Sequence, residues 1–141
     1  MYLLDSSAIA IAIKRLKEKA IEVLDGKITL DIARYELGNI IWKECILKDL
    51  ISQEEAIYKA EDLAKILEFM NMERIESSED FKGAMKLATD LKLTFYDASY
   101  LYIAKNRELT LITEDKELSG KAKKANVKSM KVNELLKISI K

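Results

Sequence analysis

YLLDSSAIAIAIKR, residues 2–15, sets a short apolar run against an acid and two serines, and then against a stretch of alternating aliphatic residues. Tyr2 to Leu4 reads as a buried strand, and Asp5-Ser6-Ser7 as the strand's end and the cap of a helix running to about Leu24. Asp25-Gly26 then makes a turn. Thr110 to Thr113 (TLIT) repeats the pattern, a β-branched apolar run followed two residues later by Asp115. Short apolar strands alternating with helices predict a parallel sheet covered on both faces.

The intervening chain is consistent with that layout. Ile28 to Leu30 is a short apolar run leading into a helix from about Asp31 to Lys48, with Ile32, Ala33, Leu37, Ile40 and Ile41 as its apolar positions. Ser52-Gln53-Glu54-Glu55 is a capping box, and Ile57, Ala60, Leu63, Ala64 and Leu67 follow at helical spacing. Met72 to Ile75 is a candidate strand, and Ser78 begins a helix through about Leu91. Asp97 sits at the start of the next helix, and Val127 to Met130 is a candidate edge strand. Without proline, low-complexity sequence or repeats, nothing marks a linker, so residues 1–141 are expected to form one domain.

Composition removes several classes of function. At 49% hydrophobic and 34% charged, the chain differs from a disordered one, and its apolar runs are too short to cross a bilayer. The N-terminus has an acid at position 5 and no basic stretch before it, so it does not read as a signal peptide; a cytoplasmic protein is expected. Cys45 is the only cysteine, which excludes an intrachain disulfide and a multi-thiolate zinc site. The chain has no histidine, so any chemistry runs on carboxylates, hydroxyls or lysines. Glycines at 26, 38, 83 and 120 write neither a Walker motif nor a dinucleotide fingerprint. The 24 basic and 24 acidic residues cancel, so a polyanion would have to be met by a local patch; lysines at 121, 123, 124 and 128 are the densest one, and a solvated surface accounts for them equally well.

The acids are the informative residues. Ligands of a parallel sheet bind beyond the carboxyl ends of its strands, where both Asp5 and Asp115 fall and where the helix of Asp97 can also begin. Each alone is also an ordinary N-cap. Glu36 lies on the row Ile32, Glu36, Ile40, on or beside an inward helix face, where an isolated charge costs several kcal/mol. It must therefore meet a cation, a lysine or arginine, or a proton. If the four carboxylates converge, a divalent ion would relieve their repulsion, and oxygen-only ligands favour magnesium or manganese over zinc.

DSS at 5–7, Glu36 within ARYELGN, YDASYLYIA from Tyr96 to Ala104 and TEDKEL from Thr113 to Leu118 together resemble the PIN-domain nucleases, over nearly the whole chain. The size and layout most resemble the VapC group, toxins of toxin–antitoxin pairs that act as magnesium- or manganese-dependent endoribonucleases. The resemblance implies a PIN-like three-layer α/β/α domain with a central, mainly parallel sheet flanked by helices. It implies that Asp5, Glu36, Asp97 and Asp115 form a metal-holding, catalytic quartet, with Ser7 and Thr113 as hydroxyls beside it and Glu117 as a further acid. It also implies an RNA substrate, a homodimer and a small antitoxin partner. A PIN nuclease acting on cellular RNA without an antitoxin, and a PIN-like binding or regulatory module without catalysis, are the alternatives.

Overall fold

The computed structural model describes residues 1–139. Among them, β1 (Tyr2–Leu4), β2 (Ile28–Leu30), β3 (Asn71–Glu73), β4 (Thr110–Ile112) and β5 (Ser129–Met130) form one sheet in the order β3-β2-β1-β4-β5. Every pairing is parallel, so the expected mainly parallel sheet is wholly parallel. β1 lies at its centre, with Leu3 opposite Ile28 on one side and Leu111 on the other.

Neighbouring residues of a strand face opposite sides of a sheet, and this splits the interior into two cores. Leu3 and Leu111 pack with Leu101 and Ile103 of α6 (Phe95–Asn106) and Leu118 of α7 (Lys116–Lys124). Leu4 and Ile112 pack with Ile9 of α1 (Ser6–Leu16), Leu37 of α3 (Ile32–Ile46) and Leu67 of α4 (Gln53–Leu67). The result is the three-layer α/β/α arrangement. The buried strands are apolar on both sides, which is why they read as continuous runs and not as alternation.

Helix starts follow local chemistry. The Ser52–Glu55 capping box is present at α4, and Ser77 with Asp80 makes a second one at α5 (Ser78–Leu91). Thr94 caps α6, so Asp97 lies in that helix's first turn and not at its opening. The expected helix to Leu24 is broken: α1 stops at Leu16, a 3-10 turn covers Lys17–Lys19, and α2 (Ala20–Leu24) resumes after it. Lys17 adopts φ 53° at the break and donates its N–H to the carbonyl of Ile13, which lets Ala20 and Leu24 turn into the core. β3 begins one residue earlier than expected, fixed by the pairing of Met72 with Thr29. Only Ser129 and Met130 of the expected edge strand pair; Val127 instead donates its N–H to Ala122 at the end of α7, and α8 (Val132–Ser139) closes the described chain. Among the described residues no helix is long and apolar enough to cross a membrane.

Helices α5 and α6 approach closely at Gly83, where an added Cβ would stand 2.2 Å from the Tyr102 ring. The Tyr102 hydroxyl meanwhile donates to Asp80 on α5 at 3.1 Å, holding the ring over the glycine. Gly83→Ala is therefore expected to lower stability by roughly 1–3 kcal/mol through overpacking. In a Tyr102→Ala background the same change should be neutral or stabilising, because alanine is the better helix former. Urea unfolding of the four proteins checks this; an equal loss in both backgrounds would remove the ring from the account.

Candidate active site

Asp5 follows β1 and is only 5% exposed. Its Oδ1 accepts the backbone N–H of Ala8 at 2.9 Å, capping α1, and the hydroxyl of Ser7 at 2.7 Å. Its Oδ2 accepts the hydroxyl of Thr113, at the end of β4. The same hydroxyls tie in the segment after β4, since Ser7 Oγ accepts the N–H of Glu114 and Thr113 Oγ1 accepts the N–H of Asp115, each at 3.0 Å. One network thus locks the ends of the two central strands together. Ser7 and Thr113 thus stand beside Asp5, each donating its hydroxyl to the carboxylate.

Asp115 caps α7, its Oδ1 accepting the N–H groups of Glu117 and Leu118, while its other oxygen accepts no hydrogen bond among the described residues. It is thus a helix cap that leaves one oxygen open. Asp97 is half-buried in the first turn of α6; its N–H is bonded to Thr94, and its carboxylate has no hydrogen-bond donor among the described residues. Glu36 is half-buried on α3, and its Oε1 accepts the phenol O–H of Tyr100 at 2.8 Å. Glu117, on α7, is exposed.

Electrostatics shows that these acids share one region. Asp97 is pushed from its ordinary 3.8 to about 6, first by burial and then by the charges of Asp115, Asp5, Glu36 and Glu117. Asp5 is raised by burial, against the hydrogen bonds from Thr113, Ser7 and Ala8, with a further push from Asp115. Among the described residues none of the five forms a salt bridge. The ion pair that sequence allowed for Glu36 is therefore not made within them; a tyrosine meets it instead. No three of the carboxylates are gathered tightly enough to hold a metal ion as they stand among the described residues. An all-oxygen set under mutual repulsion is the donor chemistry that suits a hard divalent cation. A hollow of about 530 Å³ lies apart from these acids, and two of the arginines lining it are paired, Arg107 with Glu73 and Arg74 with Glu76.

The family model of the PIN domain matches residues 1–124. The chain belongs to the PIN domain family. Within that family it is similar to Exonuclease VapC9 of Pyrobaculum aerophilum, at 33% identity over 126 residues, covering 88% of this chain and 87% of that protein. Ribonuclease VapC3 of the same organism is 33% identical over 105 residues, covering 74% of this chain and 77% of that protein. The crystal structure of PAE2754 from Pyrobaculum aerophilum superposes with a TM-score of 0.78 at 30% identity, covering 99% of this chain and 94% of that one. A chain of a toxin–antitoxin complex from Klebsiella pneumoniae gives 0.61 at 21% identity, covering 85% of this chain and 92% of that one, a likeness of fold alone.

Tyr100 is the residue of this PIN domain that sequence reasoning did not place at the site. It is 1% exposed, and burial, with the charge of Glu36, raises its phenol far above the ordinary range. Its proton is thus permanently available to Glu36. The available signal was its position three residues after Asp97, one turn along the same helix, where a buried phenol needs an acceptor.

The raised Asp97 value fixes a sign for stability. The folded state holds this proton more tightly than the unfolded chain, so Asp97 costs stability progressively as pH rises from 3.8 to about 6, and the cost is fully present above that. In chelator, Asp97→Asn is expected to raise the thermal midpoint at neutral pH, with the advantage over wild type growing across that window. A difference between the two melting curves that does not change with pH would contradict this.

Proposed function

We propose that this PIN domain protein is a metal-dependent ribonuclease that hydrolyses RNA phosphodiester bonds, using Asp5, Glu36, Asp97 and Asp115 to hold Mg2+ or Mn2+, with Glu117 as a further acid nearby. The observation that carries the proposal is the unneutralised charge: Asp97 is raised to about 6 in part by four neighbouring acids, and none of them is paired with a cation among the described residues. The VapC relatives, one named an exonuclease and the other a ribonuclease, support the same activity.

When bound, a divalent ion supplies activation of water and screening of phosphate charge. The chain's own residues supply position. Ser7, Thr113 and the N–H of Ala8 fix both oxygens of Asp5, and Tyr100 fixes one oxygen of Glu36. Asp97 and Asp115 keep oxygens that no donor occupies among the described residues. With no histidine and no covalent intermediate in this reading, water attacks the phosphorus, leaving a 5′-phosphate and a 3′-hydroxyl.

The proposal extends to cutting within the strand, to a homodimer and to a small antitoxin, making the protein the toxin of a VapBC-type pair. An exposed apolar surface supports a protein partner: Trp42, Ile46 and Leu47 on and after α3, Leu50 in the connection, and Ile57 and Tyr58 on α4 all remain exposed. Large apolar side chains left exposed together on two packed helices favour an interaction surface over a solvated one.

Purified protein incubated with linear and circular RNA, in magnesium, manganese or chelator, tests the reading. Metal-dependent opening of the circle is expected, with activity reduced more than about 100-fold in Asp97→Asn and about 10- to 100-fold in Tyr100→Phe, which leaves Glu36 without its donor. Cleavage unaffected by chelator or by either change would contradict the proposal, and 2′,3′-cyclic phosphate ends would contradict water as the nucleophile.

A further inference from the structure

Acids that repel one another also repel a polyanion. Nothing in the acidic cluster therefore gives an RNA strand purchase before a cation arrives, and the holding force must come from its flank. The first turn of α6 offers one. Tyr96 is 58% exposed and immediately precedes Asp97, so its Cα is a single step of about 3.8 Å from the acid's. Phe95, beside it, stacks on Phe81 of α5 with ring centroids 5.7 Å apart and an interplanar angle of 22°. Phe81 is itself 52% exposed, so the pair is not closed off from solvent.

The track continues along α5. Phe81, Lys82, Met85, Lys86 and Thr89 line one shallow hollow. Lys82 and Lys86 are engaged only with Glu79 and Asp90 on their own helix, at 3.7 and 2.7 Å, in highly exposed pairs. Such pairs contribute little and exchange readily for a phosphate. Open aromatic faces with flanking lysines are the combination that holds single-stranded nucleic acid, because every base has a π-face and the lysines follow the backbone. A duplex keeps its bases stacked internally and cannot use such a surface.

We propose that Tyr96 and the Phe81–Phe95 pair form a stacking platform for unpaired bases of the substrate strand beside the acids, with Lys82 and Lys86 on the adjoining phosphates. This rests on the ribonuclease reading for the identity of the strand. The platform positions the substrate and takes no part in the chemistry.

The test is a titration of full-length protein into a short single-stranded RNA carrying 2-aminopurine, in magnesium and separately in chelator, reading both base fluorescence and anisotropy. Cleavage of the same RNA and sedimentation mass are measured alongside. Wild type is expected to quench the fluorophore on binding and to prefer this RNA over its duplex. Tyr96→Ala should abolish the quench and weaken binding on the order of tenfold, whereas Tyr96→Phe should preserve both. Phe81→Ala should act in the same direction, at unchanged sedimentation mass. A quench absent from wild type in both conditions, or unchanged in Tyr96→Ala, overturns the platform. Loss of RNA binding that accompanies a fall in mass overturns it too, in favour of an interface between copies of the chain. A Tyr96-dependent quench without any cleavage by wild type leaves the platform standing and defeats the ribonuclease reading.

Discussion

Like charge held in place at one edge of a parallel sheet is the constraint around which this molecule is organised. Asp97 carries the cost most visibly, raised to about 6 by burial and by the charges of Asp115, Asp5, Glu36 and Glu117. A fold selected for stability alone would place lysines or arginines among them. Instead the compensation is built from neutral donors: two hydroxyls and an amide on Asp5, a phenol on Glu36, and helix N–H groups on Asp115. Neutral donors fix direction without cancelling charge, and that uncancelled charge is what the proposed cation would meet. Local destabilisation in exchange for a prepared site is a common arrangement in enzymes.

The sheet explains how residues so far apart in sequence reach one place. Parallel pairing of β1 with β4 sets Leu4 opposite Ile112, so the residues that follow both strands emerge side by side, and the Ser7–Asp5–Thr113 bonds close the gap between them. α6 starts near this edge and brings Asp97 in its first turn; α3 brings Glu36 from the other flank of β1. Tyr96, where the proposed platform begins, belongs to the same first turn of α6 as Asp97.

Much of this was legible in the sequence, for local reasons. Tyr2–Leu4, Thr110–Ile112 and the Ser52 capping box declare themselves through short-range pattern, and the inward position of Glu36 follows from helical spacing. What was not legible depends on contacts between distant residues or on backbone strain without a compositional mark. The break in the first helix falls at a lysine with positive φ, where no glycine or proline announces it. The start of β3 is set by its register against β2. The partner of Glu36 lies 64 residues away, and nothing in the neighbourhood of Glu36 names a tyrosine. Asp115 is a helix cap, and because only one of its oxygens is used for that, the cap leaves room for the proposed role as a site acid.

Calorimetric titration of manganese into the metal-free protein addresses the central claim most directly, because it asks whether the crowded acids form a cation site without requiring any substrate. The account predicts saturable binding by wild type at neutral pH that is lost in Asp5→Asn, while circular dichroism shows that the variant remains folded. Equal binding by the two folded proteins, or none by wild type, would contradict it.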